Sequence, residues 1–98
     1  MNNSVLIEGV MTAGPTLDGR FTIETSRYEG IEVKKLVILC KLSSALNSNE
    51  DVRKMLTNGT ILQCIGRIEG FSGVIGVYVE HFERLGARFG KYTFTNKD

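Results

Sequence analysis

Residues 49–68, NEDVRKMLTNGTILQCIGRI, decide how this chain folds. They read as one short helix turning directly into a strand. Asn49, or Ser48 before it, supplies the cap, a side-chain oxygen accepting from a backbone N–H that has no partner in the first turn. Glu50 and Asp51 follow where the helix dipole favours acids, and Arg53 and Lys54 stand nearer the other end. Val52, Met55 and Leu56 recur at i, i+3 and i+4, which makes one apolar stripe to bury. Gly59 is expected to close the helix in the left-handed conformation. Beyond it the period changes to two, with Leu62 and Cys64 on one face and Gln63 and Ile65 on the other. Gly66 interrupts that run before Arg67 and Ile68. No other segment reads as a helix.

Upstream, residues 31–42 (IEVKKLVILCKL) are the most hydrophobic part of the chain, and their β-branched content predicts a strand. Leu36, Ile38 and Cys40 share one face, and Val33, Lys35, Val37 and Leu39 the other. Apolar residues on both faces imply a core on one side and a cover, either a partner subunit or a ligand, on the other. Residues 43–48 form a polar connection into the helix. Before them, residues 20–28 (RFTIETSRY) alternate strictly, with Phe21 assigned to the core, and Glu29-Gly30 marks a hairpin. Residues 4–12 (SVLIEGVMT) form the first strand. Ala13-Gly14-Pro15 ends it, because proline cannot donate to a ladder, and Asp18-Gly19 turns into the second strand.

Downstream, the fourth strand is expected over residues 60–69. Gly70-Phe71-Ser72-Gly73 reads as a turn with an exposed aromatic at its tip. The fifth strand covers residues 74–85, with Gly76 as a candidate bulge. Residues 1–86 form one domain, and residues 87–98 an extension, either a short strand around Tyr92–Thr95 or a flexible tail.

The totals are those of a single soluble domain. The chain has 98 residues, twelve basic and eleven acidic, for a net charge of +1. Four of the basic residues lie between Arg84 and Lys97, with no acid there until Asp98. No apolar run is long enough to span a bilayer. The opening residues, MNNS, lack a secretory pattern, so the expected location is the cytoplasm. Cys40 and Cys64 are too few and too far apart for a zinc site, and both sit in apolar strand patterns that suit buried thiols. His81, near Glu80 and Glu83, reads as a surface or half-buried strand residue. With no paired-carboxylate pocket, no nucleophile beside a base and no glycine-rich phosphate loop, the chain is not expected to be an enzyme or to hold a cofactor or metal.

Five strands with a helix between the third and fourth is the layout of an all-β OB-fold, a small Greek-key barrel whose one short helix plugs an end. An SH3-type barrel, the main competitor, would not place a capped helix there. Segment by segment, the chain also resembles the bacterial single-stranded DNA-binding protein family. NSVLIEGVMTAGP is similar to that family's opening strand, RFTIETS to its second and EVKKLVILCKL to its third. VRKMLTNGTILQCIGRI is similar to its helix–glycine–strand passage and VYVEHFERLG to its closing strand. The set covers roughly residues 2–86, and the short tail-less form is similar to the primosomal replication protein. Val33 and Leu39 stand where the family's third strand carries stacking aromatics, and the 70–73 turn is shorter than its usual basic hairpin.

The resemblance implies sequence-tolerant binding of single-stranded DNA in replication, repair or recombination, with replication or repair proteins as possible further partners. Phosphates would lie on Arg20, Lys35, Arg27 and Lys34, with Arg67 either joining them or serving as an ion-pair partner. Bases would stack on Tyr28, Phe71 and Tyr78, the alternatives being that Tyr28 folds over its own hairpin and that Phe71 meets a neighbouring subunit. Val37, Leu39, Ile61 and Ile65, opposite the expected core, imply a homo-oligomer, dimer or tetramer. The alternatives are an OB protein-interaction module, which the near-neutral charge favours, and an RNA-binding OB domain.

Overall fold

Five strands and two short helices follow one another as β1 (Ser4–Ala13), β2 (Arg20–Glu29), β3 (Glu32–Leu42), α1 (Ser44–Asn47), α2 (Glu50–Met55), β4 (Thr60–Phe71) and β5 (Val74–Ala87). The structure is a computed structural model and describes residues 3–87, apart from the side chains of Arg27, Tyr28 and Ala87. The extension expected around Tyr92–Thr95 lies outside the described residues.

The strands close into a barrel in the order β1-β2-β3-β5-β4. All pairings are antiparallel except β3 with β5, which run parallel over Cys40–Leu42. This is the OB topology. β1 closes the ring by changing partners. Ser4–Val10 pair with β4, Val10–Ala13 pair with β2, and the register shifts between Met11 and Ala13 as the strand turns the corner. Alternation then fills the interior, with Met11, Phe21, Ile23, Cys40, Leu42, Leu62, Cys64, Val77 and Val79 all buried. Burial pushes the thiols of Cys40 and Cys64 up to about 12, so both stay protonated at neutral pH and pack as small apolar groups.

The helical region corrects the sequence reading in three ways. First, residues 43–48 are not a plain connection: Ser43 caps α1 by accepting from the backbone N–H of Leu46, so there are two helices. Second, α2, capped by Asn49 as expected, buries none of its own residues, and Met55 is 41% exposed. The barrel end is stopped by Leu56, just past the helix, with Leu46 of α1 packed against the same core. Full burial of a leucine contributes about 1.5–3 kcal/mol, so this one side chain does most of what the stripe was expected to do. Third, Gly59 does not cap the helix, which ends at Leu56 in an extended conformation. Its φ of 89° shapes the turn into β4, where its N–H donates to the carbonyl of Met11.

Two further positions differ from expectation. The β4–β5 turn is Ser72-Gly73 alone, with φ angles of 50° and 83°, the left-handed pair that matches strand twist in a two-residue hairpin. Phe71 therefore belongs to β4 and is 6% exposed, not at a loop tip. Gly76 is not a bulge. The shifts in the β4–β5 ladder fall between Ile61 and Leu62 and between Ile65 and Gly66, while Gly76 pairs regularly with Glu69. The bare Cα of Gly76 makes room for the Phe71 ring: a Cβ there would lie 2.8 Å from Phe71 Cε2 and 2.5 Å from the Leu39 carbonyl oxygen.

Candidate nucleic-acid interface

Register places four of the polar side chains in one line across the outer wall. Arg20 of β2 pairs with Lys41 of β3, Lys41 with Tyr78 of β5, and Tyr78 with Arg67 of β4. Each has buried neighbours in its own strand, Phe21, Cys40 and Leu42, Val77 and Val79, and Gly66, so each points outward. Lys41 is the member that the sequence reading missed. Its parity with Lys35, Val37 and Leu39 marks it as outward-facing, but its neighbour Tyr78 is reached only through the parallel pairing of β3 with β5.

Tyr78 is held from two sides. Its hydroxyl accepts from the backbone N–H of Ser44 at 3.4 Å, and the Arg67 guanidinium lies 5.1 Å from its ring centroid. A cation over an exposed ring contributes about 0.5–1 kcal/mol, enough to favour one ring orientation. Arg67 also pairs with Glu69 at 2.8 Å. At the other end of the line, Arg20 pairs through Nε with Asp18 at 3.0 Å and donates from Nη2 to the Ser72 hydroxyl at 3.3 Å. Asp18 precedes β2 and Ser72 forms the β4–β5 turn, so this arginine ties together the two loops that flank the wall. The Thr16 hydroxyl bonded to Asp18, followed by the charge of Arg20, holds that carboxyl below its usual range. Asp18 is therefore an anion at any neutral pH, and each terminal cation of the line already has a carboxylate partner.

The remaining candidates lie apart from this line. From Thr25 to Glu29 and Glu32 to Leu36, β2 and β3 pair only with each other among the described residues, forming a ribbon that extends beyond the barrel. Lys34 and Lys35 are on it, exposed, with Lys34 3.9 Å from Glu32. Both line a cavity of about 420 Å³ together with Thr25, Ser26 and Leu36. Arg27 and Tyr28 pair with Lys34 and Val33 through the backbone, but their side chains lie outside the described residues. Phe71, buried over Gly76, is not available to stack on a base, which corrects its assignment. The next residue, Ser72, accepts from Arg20 through its hydroxyl. Among the described residues no group of His, Cys, Asp and Glu is placed to hold a metal ion, and no helix is long and apolar enough to cross a membrane.

The sequence matches no protein-family model and no curated protein. The fold does have counterparts among solved structures. One is the protein PriB from Ralstonia solanacearum, 12% identical with a TM-score of 0.67 over 86% of this chain and 99% of that one. Another is the mitochondrial single-stranded DNA binding protein Rim1 from S. cerevisiae, 9% identical with a TM-score of 0.64 over 89% and 98%. A small single-stranded DNA binding protein from Mycoplasma pneumoniae, 13% identical, gives 0.61 over 100% and 99%. At such identities the likeness establishes the architecture, an OB barrel spanning nearly the full length of each counterpart.

Proposed function

We propose that this chain binds single-stranded DNA with little regard to sequence, in replication, repair or recombination. The observation that carries the proposal is the line Arg20–Lys41–Tyr78–Arg67 across the outer wall of the barrel. Two of the solved counterparts of that barrel are themselves named as single-stranded DNA binding proteins. Arg20, Lys41 and Arg67 would take phosphates and release their counterions. The Tyr78 ring would take a base, a contact worth about 1–3 kcal/mol and indifferent to base identity. A phosphate reaching Arg20 or Arg67 must displace Asp18 or Glu69, which favours modest affinity. No step here makes or breaks a covalent bond, so the reading is one of a binding protein and not an enzyme.

Titration of labelled oligo-dT tests this. Three phosphate contacts on a single strand give a log–log salt slope of about −2.1, so affinity should fall roughly twentyfold between ~50 and ~200 mM salt. Absence of binding at the lower salt would remove the proposal and favour the protein-interaction reading, for which the exposed Ile31, Val33 and Leu36 of the ribbon are the supporting observation. An excess of oligo-rU competing as well as oligo-dT would favour the RNA-binding alternative.

The same reading includes a homo-oligomer. Leu6 pairs with Ile65 on the outer face of β1 and β4, at 58% and 41% exposure, and Ile61, Val10, Glu24 and Val37 follow one another in register across β4, β1, β2 and β3. Beside this patch, residues 5–8 of β1 pair with β4 and with no other strand among the described residues. A second copy docking there would cover the patch and extend the sheet. Light scattering should give a mass of at least two chains, and a mass of one chain would refute the oligomer while leaving the DNA reading untouched.

A further inference from the structure

We propose that Leu17 is a wedge for the end of a duplex, which seats the protein where single-stranded DNA meets double-stranded DNA; the inference rests on the single-strand reading above. Leu17 lies in the turn between β1 and β2 and is 93% exposed. Its side chain is bare, yet the backbone beneath it is pinned. The Thr16 N–H donates to the Arg20 carbonyl at 2.9 Å, and the Gly19 N–H to the Thr16 carbonyl at 3.0 Å. The Arg20 N–H donates to the Thr16 hydroxyl at 3.0 Å. The side-chain amide of Asn47 donates to the carbonyl of Leu17 itself at 3.1 Å, which ties the turn to α1. An apolar tip fixed in this way loses little further freedom when a flat group settles on it.

Three features select a base pair over an apolar pocket of another protein. The first is place. Arg20 opens β2 directly after this turn, so the turn stands at the Arg20 end of the line that holds the single strand. The second is charge. A hollow of about 270 Å³ is lined by Pro15 of the same turn and by Glu50, Arg53 and Lys54 of α2, two cations against one carboxylate. Arg53 is bonded to the side-chain oxygen of Asn47, whereas Lys54 has no ion pair among the described residues. Lys54 is therefore the cation open to a phosphate of the duplex. The third is isolation. Leu17 is flanked by Thr16 and Asp18, and this hollow is polar, so the apolar core of a protein–protein interface is missing. A lone apolar tip beside cations suits a base stack, and leucine is among the side chains that proteins press between base steps.

The test compares an oligo-dT tract alone with the same tract carrying a hairpin duplex on its 5′ side or on its 3′ side. One of the two junctions should bind the unmodified protein about tenfold more tightly than the bare tract, the lower end for burying a leucine. The other junction should gain far less, because only the Arg20 end of the line carries the turn. Leu17→Ser, which keeps the backbone bonds of the turn, should abolish the gain and leave affinity for the bare tract unchanged. Lys54→Gln should flatten the salt slope for the favoured junction by about 0.9, one duplex phosphate, and leave the slope for the bare tract as it was. Equal affinity for all three oligomers, equal gains at both junctions, or a gain that survives Leu17→Ser would overturn the wedge. A Leu17→Ser protein that keeps the gain but falls in mass by light scattering would assign Leu17 to a second copy of the chain, which also overturns it. If the unmodified protein binds none of the three, the single-strand reading itself fails, a result distinct from these.

Discussion

Gly66→Val is expected to destabilise the barrel by about 3 kcal/mol, the upper end for a side chain forced into filled space. Gly66 faces the interior of β4 where the β4–β5 ladder changes register. A Cβ built there lands on the carbonyl oxygen of Tyr78, 2.8 Å from its carbonyl carbon and 3.1 Å from the Cα of Val79. All three are backbone atoms of a paired strand, so no side chain can swing aside and the ladder itself must open. With a urea dependence of about 1–3 kcal/mol per molar, the midpoint of unfolding should fall by roughly 1–3 M. The same opening would move Tyr78 away from Arg67, so residual folded protein should bind DNA poorly. A Gly66→Val protein with the original midpoint would show that β4 and β5 do not approach as described.

The second large effect concerns charge. Replacing Arg20 and Lys41 together by glutamine should flatten the salt slope for oligo-dT by about 1.4, two phosphate contacts at ~0.7 each. If those contacts vanish near ~1 M salt, the same arithmetic gives a loss of roughly seventyfold at ~50 mM. Removing two exposed cations outside the line, Lys54 and Arg84, lowers the net charge equally and should change affinity far less, since neither pairs in register with any of the four residues. Equal losses from the two pairs would mean that only overall charge matters, and would discard the line of four residues as a site.

The barrel was legible because strict alternation in residues 20–28 and the apolar run in residues 31–42 leave few options, and because a capped helix between the third and fourth strands is rare among small barrels. What escaped the sequence reading has local causes. Ser44–Asn47 carries no apolar stripe, so nothing in its composition announces the helical turn that Ser43 caps. Phe71 sits in a glycine-flanked stretch that reads as a loop, and only the tertiary notch over Gly76 reveals it as packed. Lys41 could be placed on a face but not beside Tyr78, because a contact between parallel strands leaves no periodic trace along the chain. The ion pairs of Arg20 and Arg67 were missed for a different reason. Asp18 and Glu69 are each two residues from their partners, and at that spacing only the strand geometry decides whether the side chains meet.

The partner exchange of β1 has a consequence for how the protein is made. Val10 touches both Glu24 and Ile61, and Ser4 meets Arg67, so the ring cannot shut until distant parts of the chain have found one another. Such high contact order slows folding to the millisecond-to-second range typical of small β-barrels. During synthesis, the amino-terminal strand must wait with its apolar face bare until β4 and β5 have left the ribosome. Because the β2–β3 hairpin holds only Arg20 and Lys41 and the β4–β5 hairpin only Arg67 and Tyr78, a partly folded chain carries at most half of the line, and capture of nucleic acid by all four residues is confined to the finished molecule.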